Sequence, residues 1–297
     1  MSPTDYKKPK RIIEYILFLG FFHIIKIVPL RWGNWVGKKL CLLAYHLVQK
    51  RRDLTIKNIR EAKQRGFMKN TPDAEVLSRQ VWEHLGVTGS EFLYYYSHNF
   101  SKIRKHVSLQ GEENLKTILA KNKGAIMATA HIGNWELFGI YLSLMGYQLS
   151  PLVKNQENPV IDKIIQDKRR SAGMKVIPRT GFLRPIVEAL KRQEIVPFLM
   201  DQHDQSGVEV DFFGRLACIP RGAAEFALRT DTPIFLTYIH RLDKFHHRIV
   251  ITPEIELERT GDYQTDLKNA VTKLANAIQN AIEKEPAQWL WMHSLWK

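Results

Sequence analysis

From about residue 107 onward the chain alternates short apolar runs with longer helical stretches, and few architectures accept that order. The segments 124–130 (GAIMATA), 148–153 (QLSPLV), 175–178 (KVIP), 195–201 (IVPFLMD), 233–240 (PIFLTYIH) and 247–253 (HRIVITP) read as strands. Helical patterns occupy 134–145, 159–173, 181–192 and 221–230, and a last amphipathic helix over about 264–284 stops before Pro286. This alternation predicts an α/β fold with a mainly parallel or mixed central sheet flanked by helices. The last two strands, joined by RLDKFH, fit an antiparallel hairpin. Upstream, residues 35–66 read as helices with a basic face, and the aromatic segment 81–100 keeps apolar groups at helical spacing.

In folds of this class ligands collect beyond the carboxyl ends of the strands. The run GAIMATA leads directly into AHIGNWE, so His131 stands just past a strand. Glu136 follows five residues later, and on one helix the two would lie about 140° apart. They meet only if His131 belongs to the loop. Gly133 supplies a turn, Asn134 an N-cap, and Glu136 then falls in the first helical turn. Spacing alone fits two readings equally: a hydrogen-bonded histidine beside a helix-start carboxylate, or a general base with its orienting acid. The strand over 195–201 delivers Asp201 and Gln202 to the same sheet edge. Asp201, His203 and Asp204 have no second ligand set at metal spacing, so neither a metal nor an organic cofactor is expected. The two cysteines, Cys41 and Cys218, are far apart, which fits a reducing compartment.

Charge is unevenly placed. Residues 1–70 hold sixteen Lys and Arg against four Asp and Glu, so +12 of the formal +14 sits in the first quarter. Nucleic acid and an anionic membrane both fit such a field. The run YILFLGFFHIIKIVPL, Tyr15 to Leu30, favours the membrane. As a helix it reaches about 24 Å, short of the roughly 30 Å hydrocarbon core. Lys7, Lys8, Lys10 and Arg11 precede it, and Arg31, Lys38 and Lys39 follow. Cations on both sides favour a segment lying in the interface over a spanning one, with a buried core helix as the alternative. The simplest partition is a membrane-associated helical segment over 1–50 and a catalytic domain over 51–297.

TAHIGNWE (129–136) resembles the H-x4-(D/E) motif of the bacterial lipid A biosynthesis acyltransferases, the lauroyl and myristoyl transferases. The resemblance continues through KNQENPVIDKIIQDKRRSAGMKVIPR (154–179) and VPFLMDQHDQSGVEVDFFGRLACIPRGAAEFALRTDTPIF (197–235), and ends in PAQWLWMHSLWK (286–297). It implies a glycerol-3-phosphate-acyltransferase-like enzyme on the cytoplasmic face of a bacterial inner membrane. Such an enzyme takes a fatty acyl group from acyl carrier protein and places it on a hydroxyl of a lipid A precursor. The resemblance gives His131 the role of base and Glu136 that of its orienter. It makes Arg169, with Arg170 as the alternative, an oxyanion or phosphate donor. It also implies that Asp201 and Gln202 position the acceptor or brace the loop. Asn134 joins these as a substrate-side residue, and Arg221, near a helix start, is placed to meet an anionic headgroup. Phe92, Tyr94, Tyr95 and Tyr96 belong to a core helix or line an acyl groove. DFFG (211–214) is structural or lines the acyl channel.

Relatives commonly end in Trp-x-His-Arg-Arg, whereas this chain has Trp291-Met292-His293-Ser294-Leu295-Trp296. The two missing cations leave room for a different glycolipid or an ornithine-type acceptor. A basic protein that binds membranes or nucleic acid is the alternative of another class. No nucleic-acid motif accompanies the charge, so nucleic acid is not expected as a partner.

Overall fold

The computed structural model describes residues 9–98, 100–153, 158–178 and 183–296. Lys7 and Lys8 of the basic flank, and residues 154–157 and 179 of the family-like segment, lie outside the described residues, as do the side chains of Lys10 and Arg11. The first part is helical: α1 (Pro9–Ile27), α2 (Leu30–Leu47), α3 (Gln49–Gln64), α4 (Ala74–Ser97) and the one-turn α5 (Ile103–His106). Strands and helices then alternate: β1 (Val107–Gln110), α6 (Glu112–Leu119), β2 (Ala125–Thr129), α7 (Trp135–Leu144), β3 (Leu152–Val153), α8 (Pro159–Ser171), β4 (Ile177–Pro178), α9 (Arg184–Lys191) and β5 (Ile195–Leu199). A hairpin of β6 (Val208–Phe212) and β7 (Arg215–Ile219) follows, then α10 (Gly222–Thr230), β8 (Ile234–Arg241), β9 (His247–Glu254) and α11 (Tyr263–Lys284).

Five strands form a mixed sheet in the order β1–β9–β8–β2–β5. β2 runs parallel to both β5 and β8, and β8 and β9 form the antiparallel pair expected across RLDKFH. β2 is buried along its whole length, and the two-residue period sends its side chains to opposite cores. Ile126 and Ala128 belong to the core that includes Ala224 of α10 and Val271 and Leu274 of α11. Ala125 and Met127 belong with Ile118 of α6, Leu137 and Ile140 of α7, and Tyr95 of α4. Helices therefore cover both faces, and the polar ends of β2 and β5 are left for chemistry.

Two regions depart from the periodicity reading. QLSPLV and KVIP keep two strand residues each and pair with one another, and QLSPLV reaches the central sheet through a single bridge from Leu149 to Ile195 of β5. Pro151 and Pro178 each remove a donor that a longer ladder would need. DFFG, conversely, is the turn of a hairpin. Phe213 and Gly214 carry φ of 54° and 72°, the pattern of a two-residue turn that Asn-Gly usually supplies. Phenylalanine gives no turn signal, and here tertiary packing imposes the conformation. Its ring is fully buried against Trp289 and Trp291, and its N–H donates to Gln279 Oε1 (2.7 Å).

The N-terminal apolar run is two elements, because Pro29 separates α1 from α2. Among the described residues no helix is long and apolar enough to cross a membrane. α2 lies on α4 by backbone contact. A Cβ on Gly86 would stand 2.3 Å from the Gly37 oxygen, and one on Gly37 equally close to the Gly86 oxygen. One turn on, Gly89 has nothing within 4 Å. Two alanine substitutions on one helix should therefore differ in sign. Gly86→Ala should lower stability by about 1–3 kcal/mol through overpacking, and Gly89→Ala should raise it by about 0.5–1 kcal/mol. Denaturant titration of the two variants in detergent checks both.

Candidate active site

The register of two parallel strands builds the site. Thr129 of β2 pairs with Leu199 of β5, and the Met200 N–H donates to the Thr129 carbonyl (3.0 Å). Two residues further along each chain, the same register sets His131 opposite Asp201. The His131 Nδ1–H donates to Asp201 Oδ1 (2.8 Å). Asp201 Oδ2 accepts the His131 backbone N–H (2.8 Å) and the Trp289 indole N–H (2.8 Å). An ionised carboxylate only accepts, so the imidazole proton lies on Nδ1 and the lone pair on Nε2. Nε2 has no hydrogen-bond partner among the described residues.

Asp201 is 1% exposed. Burial alone would raise its pKa; the His131 charge and three N–H donors outweigh that and hold it below the usual carboxylate range. Burial pulls His131 down, but Asp201, helped by the charge of Glu136, lifts it above the ordinary histidine value. Trp135 packs edge-on against the ring (4.9 Å between centroids, 77°), and the His293 ring stands 5.8 Å away.

The loop between β2 and α7 is held residue by residue. Ile132 bridges to Trp289, and the Gly133 N–H donates to the Gln288 carbonyl (2.8 Å). Gly133 has φ +62°, and a Cβ there would stand 2.0 Å from the Ile239 oxygen, so no other residue fits. α4 grips the loop from the other side. His84, pushed down to about 3 by burial and the Arg241 charge, lies at the Gly133 backbone and meets the Thr88 hydroxyl through Nε2 (3.2 Å). Glu91, 0% exposed, accepts from Asn134 Nδ2 (3.0 Å) and is clamped by both guanidinium nitrogens of Arg241.

The other residues singled out from sequence fall in several places. Glu136 sits in the first turn of α7, yet its carboxylate is engaged by Arg169, through Nη2 to Oε1 and Nε to Oε2 (3.2 Å), and by the Tyr96 O–H (3.3 Å). It reaches His131 through charge, while the direct hydrogen bond to the ring comes from Asp201. Arg169 is correspondingly paired with Glu136 through two of its three guanidinium nitrogens. Asn134 is buried and makes two internal bonds. Its Oδ1 caps Leu137 N–H (3.3 Å) and its amide nitrogen is used by Glu91. Arg170 pairs locally with Asp167 (3.1 Å) and Arg221 with Glu225 (3.3 Å), both on exposed surface. Gln202 is exposed beside Asp201. Phe92, Tyr94, Tyr95 and Tyr96 lie along α4, where Tyr95 and Tyr96 are fully buried in the core. Among the described residues no three His, Cys, Asp or Glu side chains converge as a metal site.

Sequence reasoning missed Glu91, Trp289 and His293, and it did not pair Asp201 with His131. The signal for the pair was positional: each is the second residue past one of two neighbouring parallel strands. The other three come from α4 and the C-terminal tail, which only the tertiary fold brings to the loop.

The family model for bacterial lipid A biosynthesis acyltransferase matches residues 3–297. A phosphatidylinositol mannoside acyltransferase of Mycobacterium tuberculosis is 29% identical over 195 residues, covering 63% of this chain and 58% of the relative. The lipid A biosynthesis palmitoleoyltransferase of Escherichia coli is 26% identical over 201 residues, 66% of this chain and 63% of the relative. A lipid A biosynthesis acyltransferase of Haemophilus influenzae is 21% identical over 302 residues, 98% of this chain and 89% of the relative. The matches to the first two span less than two thirds of those relatives' own lengths. With a histidine and its carboxylate partner at the sheet edge and a family match that runs to the last residue, the chain belongs to the bacterial lipid A biosynthesis acyltransferase family.

Proposed function

We propose that the protein transfers a fatty acyl group from acyl carrier protein to a hydroxyl of a glycolipid, a lipid A precursor first among them. The observation that carries this reading is the pinned imidazole: Nδ1 is committed to Asp201, and Nε2 is left as a base at the carboxyl end of the sheet. The acceptor oxygen attacks the thioester carbonyl as its proton passes to His131 Nε2. Asp201 stabilises the imidazolium so formed. When the C–S bond breaks, the carrier sulfur leaves with the electron pair and takes the proton back from His131. Asp201 is the orienting carboxylate in this mechanism, and Glu136 adds its charge and anchors Arg169.

A second acceptor has a specific observation in its favour. The tail carries Ser294 and Leu295 rather than two cations, and several relatives are named for phosphatidylinositol mannoside. A phosphatidylinositol mannoside or a related glycolipid is the alternative substrate, with the same chemistry.

The N-terminal segment, residues 1–50, is the membrane-facing part in this reading, and 51–297 the glycerol-3-phosphate-acyltransferase-like catalytic domain. α1 and α2 expose Ile16, Ile24, Ile27, Trp32, Trp35 and Leu43. Arg31 lies over the Trp32 ring (5.1 Å) and Lys39 over Trp35 (5.9 Å). Apolar area, interfacial tryptophans and cations together suit an anionic lipid surface, the cytoplasmic face of an inner membrane.

With acyl carrier protein loaded with lauroyl, myristoyl or palmitoyl chains, and lipid A precursor or phosphatidylinositol mannoside as acceptor, the wild-type protein should give an acylated lipid detectable by mass spectrometry. His131→Ala and Asp201→Asn should each lower kcat by about 10²–10⁴, and Glu136→Gln should lower it less. A folded Asp201→Asn protein with wild-type turnover would contradict the mechanism. Because the base works neutral and its pKa is raised, the acid limb of kcat/KM should lie above about 6.5, the ordinary histidine value. Asp201→Asn should move that limb down. In flotation assays the protein should rise with phosphatidylglycerol vesicles more than with phosphatidylcholine vesicles. The double variant Trp32→Ser and Trp35→Ser should lose most of that binding with its melting temperature unchanged.

A further inference from the structure

Three histidine nitrogens are buried without a hydrogen-bond partner among the described residues: His240 Nε2, His247 Nδ1 and His293 Nε2. A buried nitrogen left unpaired costs about 1–3 kcal/mol, so each needs a reason. His247 already engages the core carboxylate Glu91 through its other nitrogen (3.3 Å). His240 lies near the end of β8, its ring packed on Tyr238 (4.9 Å between centroids). His293 alone stands at the catalytic pair, its ring centroid 5.8 Å from that of His131 at an interplanar angle of 44°.

The chain around His293 is tied down rather than loosely packed. Asn58 Nδ2 of α3 donates to the carbonyls of Trp291 (2.9 Å) and His293 (3.2 Å), and Arg51 donates to the carbonyl of Met292 (2.9 Å). Trp291 is fully buried and stacks on Trp296 (6.2 Å, 18°). Three hydrogen bonds from two side chains of α3 and a tryptophan stack thus fix an imidazole whose Nε2 has no hydrogen-bond partner among the described residues. Burial first, then the nearby charges of His131 and Arg51, lower its pKa, while Asp201 opposes them. At neutral pH the ring is uncharged and can donate one N–H.

Acyl transfer also calls for a hydrogen-bond donor to the thioester carbonyl oxygen. The carbonyl oxygen gains negative charge as the tetrahedral intermediate forms, and Arg169 is paired with Glu136. We propose that His293 is a second catalytic histidine, whose Nε2–H donates a hydrogen bond to the thioester carbonyl oxygen as it becomes an oxyanion. This inference rests on the acyltransferase reading. The acceptor oxygen forms the new C–O bond and its proton goes to His131. The carbonyl electron pair moves onto its oxygen, where His293 stabilises it without giving up its proton. Collapse re-forms the carbonyl, breaks the C–S bond, and the sulfur is protonated by His131. Substrate entry satisfies the orphan nitrogen only when the reacting carbonyl is in place.

The test compares His293→Leu, which cannot donate, with His293→Gln, which can. Full-length variants in detergent are assayed with the same acyl carrier proteins and acceptor lipids, alongside melting temperatures. His293→Leu should lose about 10²–10³ in kcat, the worth of one oxyanion donor, with KM for both substrates nearly unchanged. His293→Gln should stay within about tenfold of wild type, as a donor at slightly altered reach. If His293→Leu melts early, His293→Phe replaces it, keeping a ring without nitrogens. Near-wild-type kcat in the donor-less variant, or an equal loss in His293→Gln at unchanged melting, overturns the proposal. Absence of transfer by the wild-type protein would instead overturn the acyltransferase reading itself.

Discussion

The carboxyl edge of the sheet depends on one buried carboxylate. Asp201 receives N–H groups from the His131 ring, the His131 backbone and the Trp289 indole, three donors from two distant parts of the chain. A buried anion with fewer partners would be strongly disfavoured. With these three it is held ionised, and it fixes the tautomer, orientation and basicity of the imidazole together. The loop's first residue, the end of β5 and the C-terminal tail are thereby tied to a single group.

The helices behind this edge make the arrangement rigid. α4 presents His84 and Glu91 to successive residues of the loop, Gly133 and Asn134. The same Glu91 accepts from Asn34 of α2 (3.4 Å) and is clamped by Arg241 at the end of β8. α2 meets α4 at the glycine contact, so the helix that exposes Trp32 and Trp35 is two backbones away from the catalytic loop. A polar network of this kind is stable because its carboxylate is fully satisfied; a lone Glu91 without Arg241 would be a buried charge.

Much of the fold was legible because it follows from period. The runs 124–130, 195–201, 233–240 and 247–253 became β2, β5, β8 and β9, and the terminal amphipathic pattern became α11. The hairpin turn at Phe213–Gly214 was not legible, since its conformation is enforced by Trp289 and Trp291 rather than by its own residue types. At the site, the strand-end rule located His131 and Asp201 separately, but the family resemblance named Glu136 as partner. Strand register is a tertiary fact, and it decided which carboxylate bonds the ring. Arg169 shows the same limit: nothing in a run of charged residues reveals which cation is paired with a carboxylate from another helix.

The chemistry turns on where one proton sits. Nitrogen-15 NMR of histidine-labelled protein, with His131 assigned by its loss in His131→Ala, reads the tautomer and the titration of that ring directly. The account predicts a neutral ring protonated on Nδ1, a hydrogen-bonded Nδ1 proton that disappears in Asp201→Asn, and a pKa above about 6.5. A ring protonated on Nε2, or one that titrates below the ordinary histidine value with Asp201 intact, would contradict it.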